Sequence, residues 1–150
     1  MEKLPPIEKV YEAYTAIADR RVAFRGDAAS VKSSDGARQY TVAWEGNRYS
    51  SDDNATFWQG YAGYPVLAVL MLQGKLPLDR TALPFLSGIN WNALNRKNRR
   101  NYAAAFAEAT VGCTDGERRR LRDSAAEVLA ALRELDIVVG RAKKQRPGQK

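Results

Sequence analysis

Between Asp52 and Pro65 the chain reads DDNATFWQGYAGYP, with three acidic or amide side chains leading into four aromatics and two glycines. Glycines beside aromatic rings let a ligand approach the backbone closely. With Asp52, Asp53 and Asn54 nearby, the faces of Trp58, Tyr61 and Tyr64 could hold a sugar or a nucleobase. The same residues also suit plain packing, as the corner that ties a sheet to a buried helix. The sequence favours the corner, with a pocket beside it. Magnesium is the weaker use of Asp52 and Asp53, because neighbouring side chains on one element diverge. Capping the free N–H groups of a helix start explains these residue types better.

A second constellation lies in NWNALNRKNRRNY, residues 90–102. If this segment is one helix, Asn95 and Asn98 fall near its apolar face, while Arg96, Arg99 and Arg100 cluster opposite. Arg96, Lys97, Arg99 and Arg100 are the pattern of a phosphate-contacting surface, and equally of a solvated basic face. Lys143, Lys144 and Arg146 in the C-terminal RAKKQRPGQK would add affinity for a polyanion through counterion release. The run Arg118–Arg119–Arg120 is diluted by Asp123, Glu127 and Glu134 and reads as an ordinary charged face. Cys113 sits in an interhelix turn with no evident group to stabilise a thiolate.

Composition removes several chemistries. The 150 residues contain no histidine and one cysteine. That excludes serine or cysteine catalysis with an imidazole base, and zinc sites built from His and Cys. No glycine-rich phosphate loop or GxGxxG occurs, so no catalytic residue, metal or cofactor is expected, and the balance leans away from an enzyme. A lone cysteine agrees with a reducing compartment, and the N-terminal MEKLPPIEK lacks the form of a signal peptide. No apolar run is long enough to span a bilayer. The sequence therefore predicts a cytoplasmic protein, most simply bacterial. Net charge is +7, but residues 1–90 balance ten Lys and Arg against ten Asp and Glu, and five uncompensated cations fall in residues 141–150.

The elements that must position these groups follow from periodicity. LPPIEKVYEAYTAIAD predicts an amphipathic first helix with Ile7, Val10, Tyr11, Tyr14, Ile17 and Ala18 on one face. Gly26-Asp27, Asp35-Gly36 and Gly46-Asn47 are two-residue hairpin loops, predicting strands at 20–25, 28–34, 37–45 and 48–51. In that register Val22 opposes Val31, Phe24 opposes Ala29, Val31 opposes Tyr40, Ala29 opposes Val42 and Trp44 opposes Tyr49. One face is thus apolar and the other carries Lys32, Gln39 and Thr41. PVLAVLMLQG predicts a helix buried all round, and Asp79 or Thr81 a cap for a short helix through Leu86. Thr114 to Glu117 fits a capping box, and Leu121, Ala125, Val128, Leu132, Leu135 and Val139 form the stripe of a last helix.

The expected fold is α+β: an N-terminal helix, a four-stranded antiparallel meander, and three to four helices on its apolar face. Residues 1–140 would form a single globular domain and 141–150 a basic disordered tail. Three functional readings follow, in this order. The first is a non-enzymatic binding protein that contacts nucleic acid through its basic C-terminal half. The second is a protein-interaction or regulatory module, including a homodimer. The third is a small-ligand binder or enzyme at the aromatic and carboxylate corner.

Overall fold

The computed structural model describes residues 1 and 3–142. Among them the architecture is α+β, with a five-stranded sheet ordered β1-β2-β3-β4-β5. Helix α1 (Glu8–Ala18) leads into β1 (Val22–Arg25), β2 (Ala28–Lys32), β3 (Gln39–Glu45) and β4 (Arg48–Ser51). A π-helical turn, Ala55–Gln59, and α2 (Tyr64–Leu72) follow. A short 3-10 turn at Leu83–Leu86 precedes α3 (Trp91–Lys97), α4 (Tyr102–Ala109), α5 (Asp115–Glu134) and β5 (Val138–Arg141).

The meander forms in the predicted register, with Val22 opposite Val31, Phe24 opposite Ala29, Val31 opposite Tyr40, Ala29 opposite Val42 and Trp44 opposite Tyr49. Gly26 and Gly46 take φ of 61° and 60°, the left-handed backbone that two-residue hairpin loops require. The middle turn is wider than two residues. Ser33 N–H still donates to Arg38 O, and Asp35 Oδ1 accepts from both Ser33 Oγ and Ala37 N–H, so an Asx-type turn closes the loop. Val31 and Val42 are fully buried, whereas Val22, Tyr40 and Trp44 are half-buried. Phe24 corrects the expectation: it is 47% exposed, because β1 is an edge strand, and Trp44 meets the ring edge-on at 6.0 Å.

Helix α2 is buried from Pro65 to Met71. It and α1 form the centre of the core, for α1 is buried continuously from Val10 to Ala16 rather than along one stripe. Glu12 and Thr15 are therefore carried inside. Thr15 Oγ1 donates to Leu86 O at 2.7 Å and accepts from Trp91 Nε1 at 2.8 Å, pinning the start of α3 to α1.

Other expectations need correction. Residues 90–109 are two helices, not one. Asn90 and Asn101 each cap a new helix by accepting from the N–H three residues on, at Ala93 and Ala104. Between the helices Arg99 and Arg100 take φ of 52° and 64°. Arg96, Arg99 and Arg100 therefore do not share one helix face. Asp79 and Thr81 do not cap the turn before Leu86; Asp79 instead accepts from Arg120 Nε at 3.0 Å.

The capping box at Thr114 and Glu117 is complete, but α5 stops at Glu134. Val139 belongs to a fifth strand that runs parallel to β4, pairing Tyr49 with Val139. A parallel neighbour needs a long crossover, and the helices between β4 and β5 provide it. The strand crosses the expected domain boundary at 140, and Arg141 lies opposite Ser51. Residues 143–150, including Lys143, Lys144 and Arg146, lie outside the described residues. Among the described residues no helix is long and apolar enough to cross a membrane.

Candidate ligand-binding cavity

The corner between β4 and α2 is built on Asp53. Its carboxylate is buried, accepting from Ser51 Oγ at 2.5 Å and from Thr56 N–H at 3.1 Å. It thus caps the turn that follows, as the residue type predicts. Thr56 Oγ1 in turn accepts from Gly63 N–H at 3.0 Å, folding 53–63 into a closed loop. Gly63 is required for space: a Cβ there would lie 2.0 Å from Asp53 Oδ2. Packing at this corner is real, and Asp53 supplies it.

The loop also holds a row of rings against a cavity of about 570 Å3, a size typical of small-molecule sites. Asp53, Asn54, Trp58, Gln59, Tyr61 and Tyr64 line it from the corner. Lys9 and Glu12 face it from α1, Tyr40 from β3, and Asn92, Asn95, Arg100 and Tyr102 from the α3–α4 segment. Both constellations of the sequence, distant in the chain, meet at this one place.

Of the predicted residues, Asp52 is not part of it: Asp52 is exposed and accepts from Thr41 N–H at 2.8 Å. Arg96, Lys97 and Arg99 also stay outside, exposed, with Lys97 Nζ paired to Glu108 at 2.8 Å. Asn95, singled out in the sequence beside the basic cluster, does line the cavity, whereas Lys9, Glu12, Tyr40, Gln59, Asn92 and Tyr102 were missed. The one signal for them was Glu12, the only charged residue in VYEAYTAIA, residues 10–18.

Trp58 stands at the cavity with 71% of its surface exposed, its indole edge-on to Phe57 at 4.8 Å. Glu12 lies at the opposite extreme, its side chain 8% exposed. Its Oε1 accepts from Asn95 Nδ2 at a long 3.4 Å. Its Oε2 has Lys9 Nζ at 3.1 Å but no aligned hydrogen bond. Lys9 also lies over the Tyr102 ring, 5.2 Å from its centroid.

The pair is asymmetric. Burial pushes the Glu12 carboxyl above its ordinary value and outweighs the pull of Lys9. Burial lowers Lys9, but Glu12, with smaller help from Tyr102 and Tyr61, pulls harder and leaves it raised. Tyr61 and Tyr64 hydroxyls are both raised, first by burial, and so act as neutral donors and acceptors. Tyr40 behaves likewise.

A larger cavity of about 630 Å3 lies on another face of α1, lined chiefly by Ile7, Tyr11, Phe106 and Val111. It is mainly apolar, and its Arg118 is already engaged by Thr110 O, Cys113 O and Asp115. Polar chemistry gathers in the smaller one. The Cys113 thiol is pushed up by burial and by Glu117, away from reactivity. Among the described residues no cluster of His, Cys, Asp or Glu could hold a metal ion.

Fold and cavity together define an α+β protein with a polar, aromatic-walled site where the first helix, the sheet and the α3–α4 segment converge. The chain belongs to the family described as Uncharacterised conserved protein UCP014422, whose model matches residues 2–138. No curated protein and no solved structure matches it.

Proposed function

We propose that the chain is a binding protein for a small, flat, polar molecule of nucleoside or sugar size, held in the cavity beside Trp58. One observation carries this reading: a largely exposed indole and a buried, under-bonded carboxylate line the same cavity. A large exposed aromatic is costly to leave in water, and a stacked ligand covers it. A buried carboxylate without a full set of donors is costly too, and a ligand supplies donors. The amides of Asn54, Gln59, Asn92 and Asn95 can donate and accept at once, which suits a ligand with several polar groups. Arg100, held by its left-handed backbone beside the mouth, suits an anionic substituent such as a phosphate.

The test is calorimetric titration with nucleosides, nucleotides, monosaccharides and short single-stranded oligonucleotides. The oligonucleotides belong in the panel because Arg96 and Arg99 are exposed next to Arg100. At least one class should bind, and Trp58→Ala should weaken it ~10- to 100-fold, the worth of one stacked ring. Folding stability should hold within about 0.5 kcal/mol, as for other exposed positions. A panel without a binder, or full affinity in Trp58→Ala, would remove the proposal.

A further inference from the structure

We infer that the groove between α1, α4 and α5 is a second binding site, and that it takes an amphipathic carboxylate: an apolar body with one anionic head. This site is separate from the polar cavity and stands whether or not that cavity binds a nucleoside. Its volume, about 630 Å3, lies in the range of small-molecule sites. Ile7 at the entry to α1, Ala103 and Ala107 on α4, and Val111 beyond it supply apolar walls. Tyr11 and Phe106, both buried, stack with ring centroids 4.2 Å apart and form the base. Val111 is 82% exposed, an apolar surface that an occupant would cover.

The head group follows from the polar atoms at that base. Tyr11 is 2% exposed, yet its hydroxyl has no hydrogen-bond partner among the described residues. Glu12 Oε2 and Arg21 Nε are the described side-chain atoms that are both unpartnered and sealed off. The Tyr11 oxygen, unpartnered but not sealed, therefore opens on the groove. Burial first, and then Glu8, push this hydroxyl up while Arg122 pulls it down, so it stays a neutral donor within reach of both charges. Arg122 rests over the Phe106 ring, 5.9 Å from its centroid, and has no ion pair among the described residues. A carboxylate can accept from the Tyr11 O–H and the Arg122 fork together, a charge-assisted pairing that suits a planar head. Arg118 and Arg122 line the groove against the single carboxylate of Glu8. One negative charge is thus favoured there, and Glu8 disfavours a second.

The experiment is calorimetry on the full chain with octanoate, octanol and octylammonium, which share one chain and differ in head charge, and with naphthoate. Octanoate should bind ~10-fold more tightly than octanol, and octylammonium should be weaker still. Arg122→Glu should reverse that order and place octylammonium first, a result that partial unfolding does not give. Tyr11→Phe keeps the ring and removes an unpartnered hydroxyl, so octanoate should lose ~2- to 10-fold. Ala107→Phe, at an exposed position, fills the groove and should abolish binding of every probe. Binding of octanoate alone, or of naphthoate alone, would assign an aliphatic or an aromatic body and support the carboxylate head. Equal binding of the three octyl probes would overturn that head, and no binding of either carboxylate would remove the site. A dimer in light scattering that Ala107→Phe dissociates would give the groove to a second copy and overturn the ligand. Arg122 is exposed, so its variant decides the matter even if Tyr11→Phe fails to fold.

Discussion

Burial pushes the Glu12 carboxyl above its ordinary value of 4.5, and that direction fixes how stability responds to pH. The folded chain keeps this proton to higher pH than the unfolded chain does. Stability from Glu12 is thus greatest below its unfolded value and falls as pH rises through the folded one. Lys9 is raised from 10.5, so its contribution is full below that value and fades only at higher, alkaline pH. Urea midpoints measured from pH 4 to 8 should show the Glu12 slope, and Glu12→Gln should flatten it. An unchanged slope in the variant would place the titration elsewhere. Trp58, Tyr61 and Tyr64 were legible in the sequence because bulky rings beside glycines announce themselves locally. Lys9 and Glu12 were not, because an i,i+3 ion pair on a helix normally faces water. Here α1 is covered on both flanks, and no local pattern states that.

At the scale of elements, the meander was readable because three turns each fixed a register and all agreed on one apolar face. The fifth strand was not. Val139 continues the stripe of Leu132 and Leu135 at near-helical spacing, so period alone extends α5 past its end. Pairing decides otherwise: Val138 N–H donates to Asn47 O at 2.9 Å and Ala142 N–H to Ser51 O at 3.1 Å. Val138 is 53% exposed, so its side chain contributes little burial while its N–H anchors the ladder. Val138→Pro removes that donor and should cost about 1–3 kcal/mol in chemical denaturation, whereas Val138→Thr should cost under about 0.5 kcal/mol. Equal effects of the two would contradict the strand. The break between α3 and α4 was hidden for a related reason. Asn90 and Asn101 are caps, yet inside an apolar-periodic run an asparagine reads as a buried polar residue until the helix ends are known.

At the scale of the whole molecule, the cavity exists because segments far apart in sequence meet across α1. The π-helical turn 55–59 presents Trp58, the capped loop 53–63 sets Tyr61, and the left-handed Arg99–Arg100 link turns Arg100 toward the same space. Sequence offered these as two separate candidates, aromatic corner and basic cluster, since nothing local reports their approach. The direct measurement is a map of backbone and side-chain NMR shifts on adding a nucleoside, guanosine or adenosine, to the isotope-labelled chain. The account predicts that the largest changes fall on the Trp58 indole, the Tyr61 ring, and the side-chain amides of Asn92 and Asn95. Shifts confined to the apolar groove of Ile7, Phe106 and Val111, or none at millimolar concentrations of either nucleoside, would contradict it.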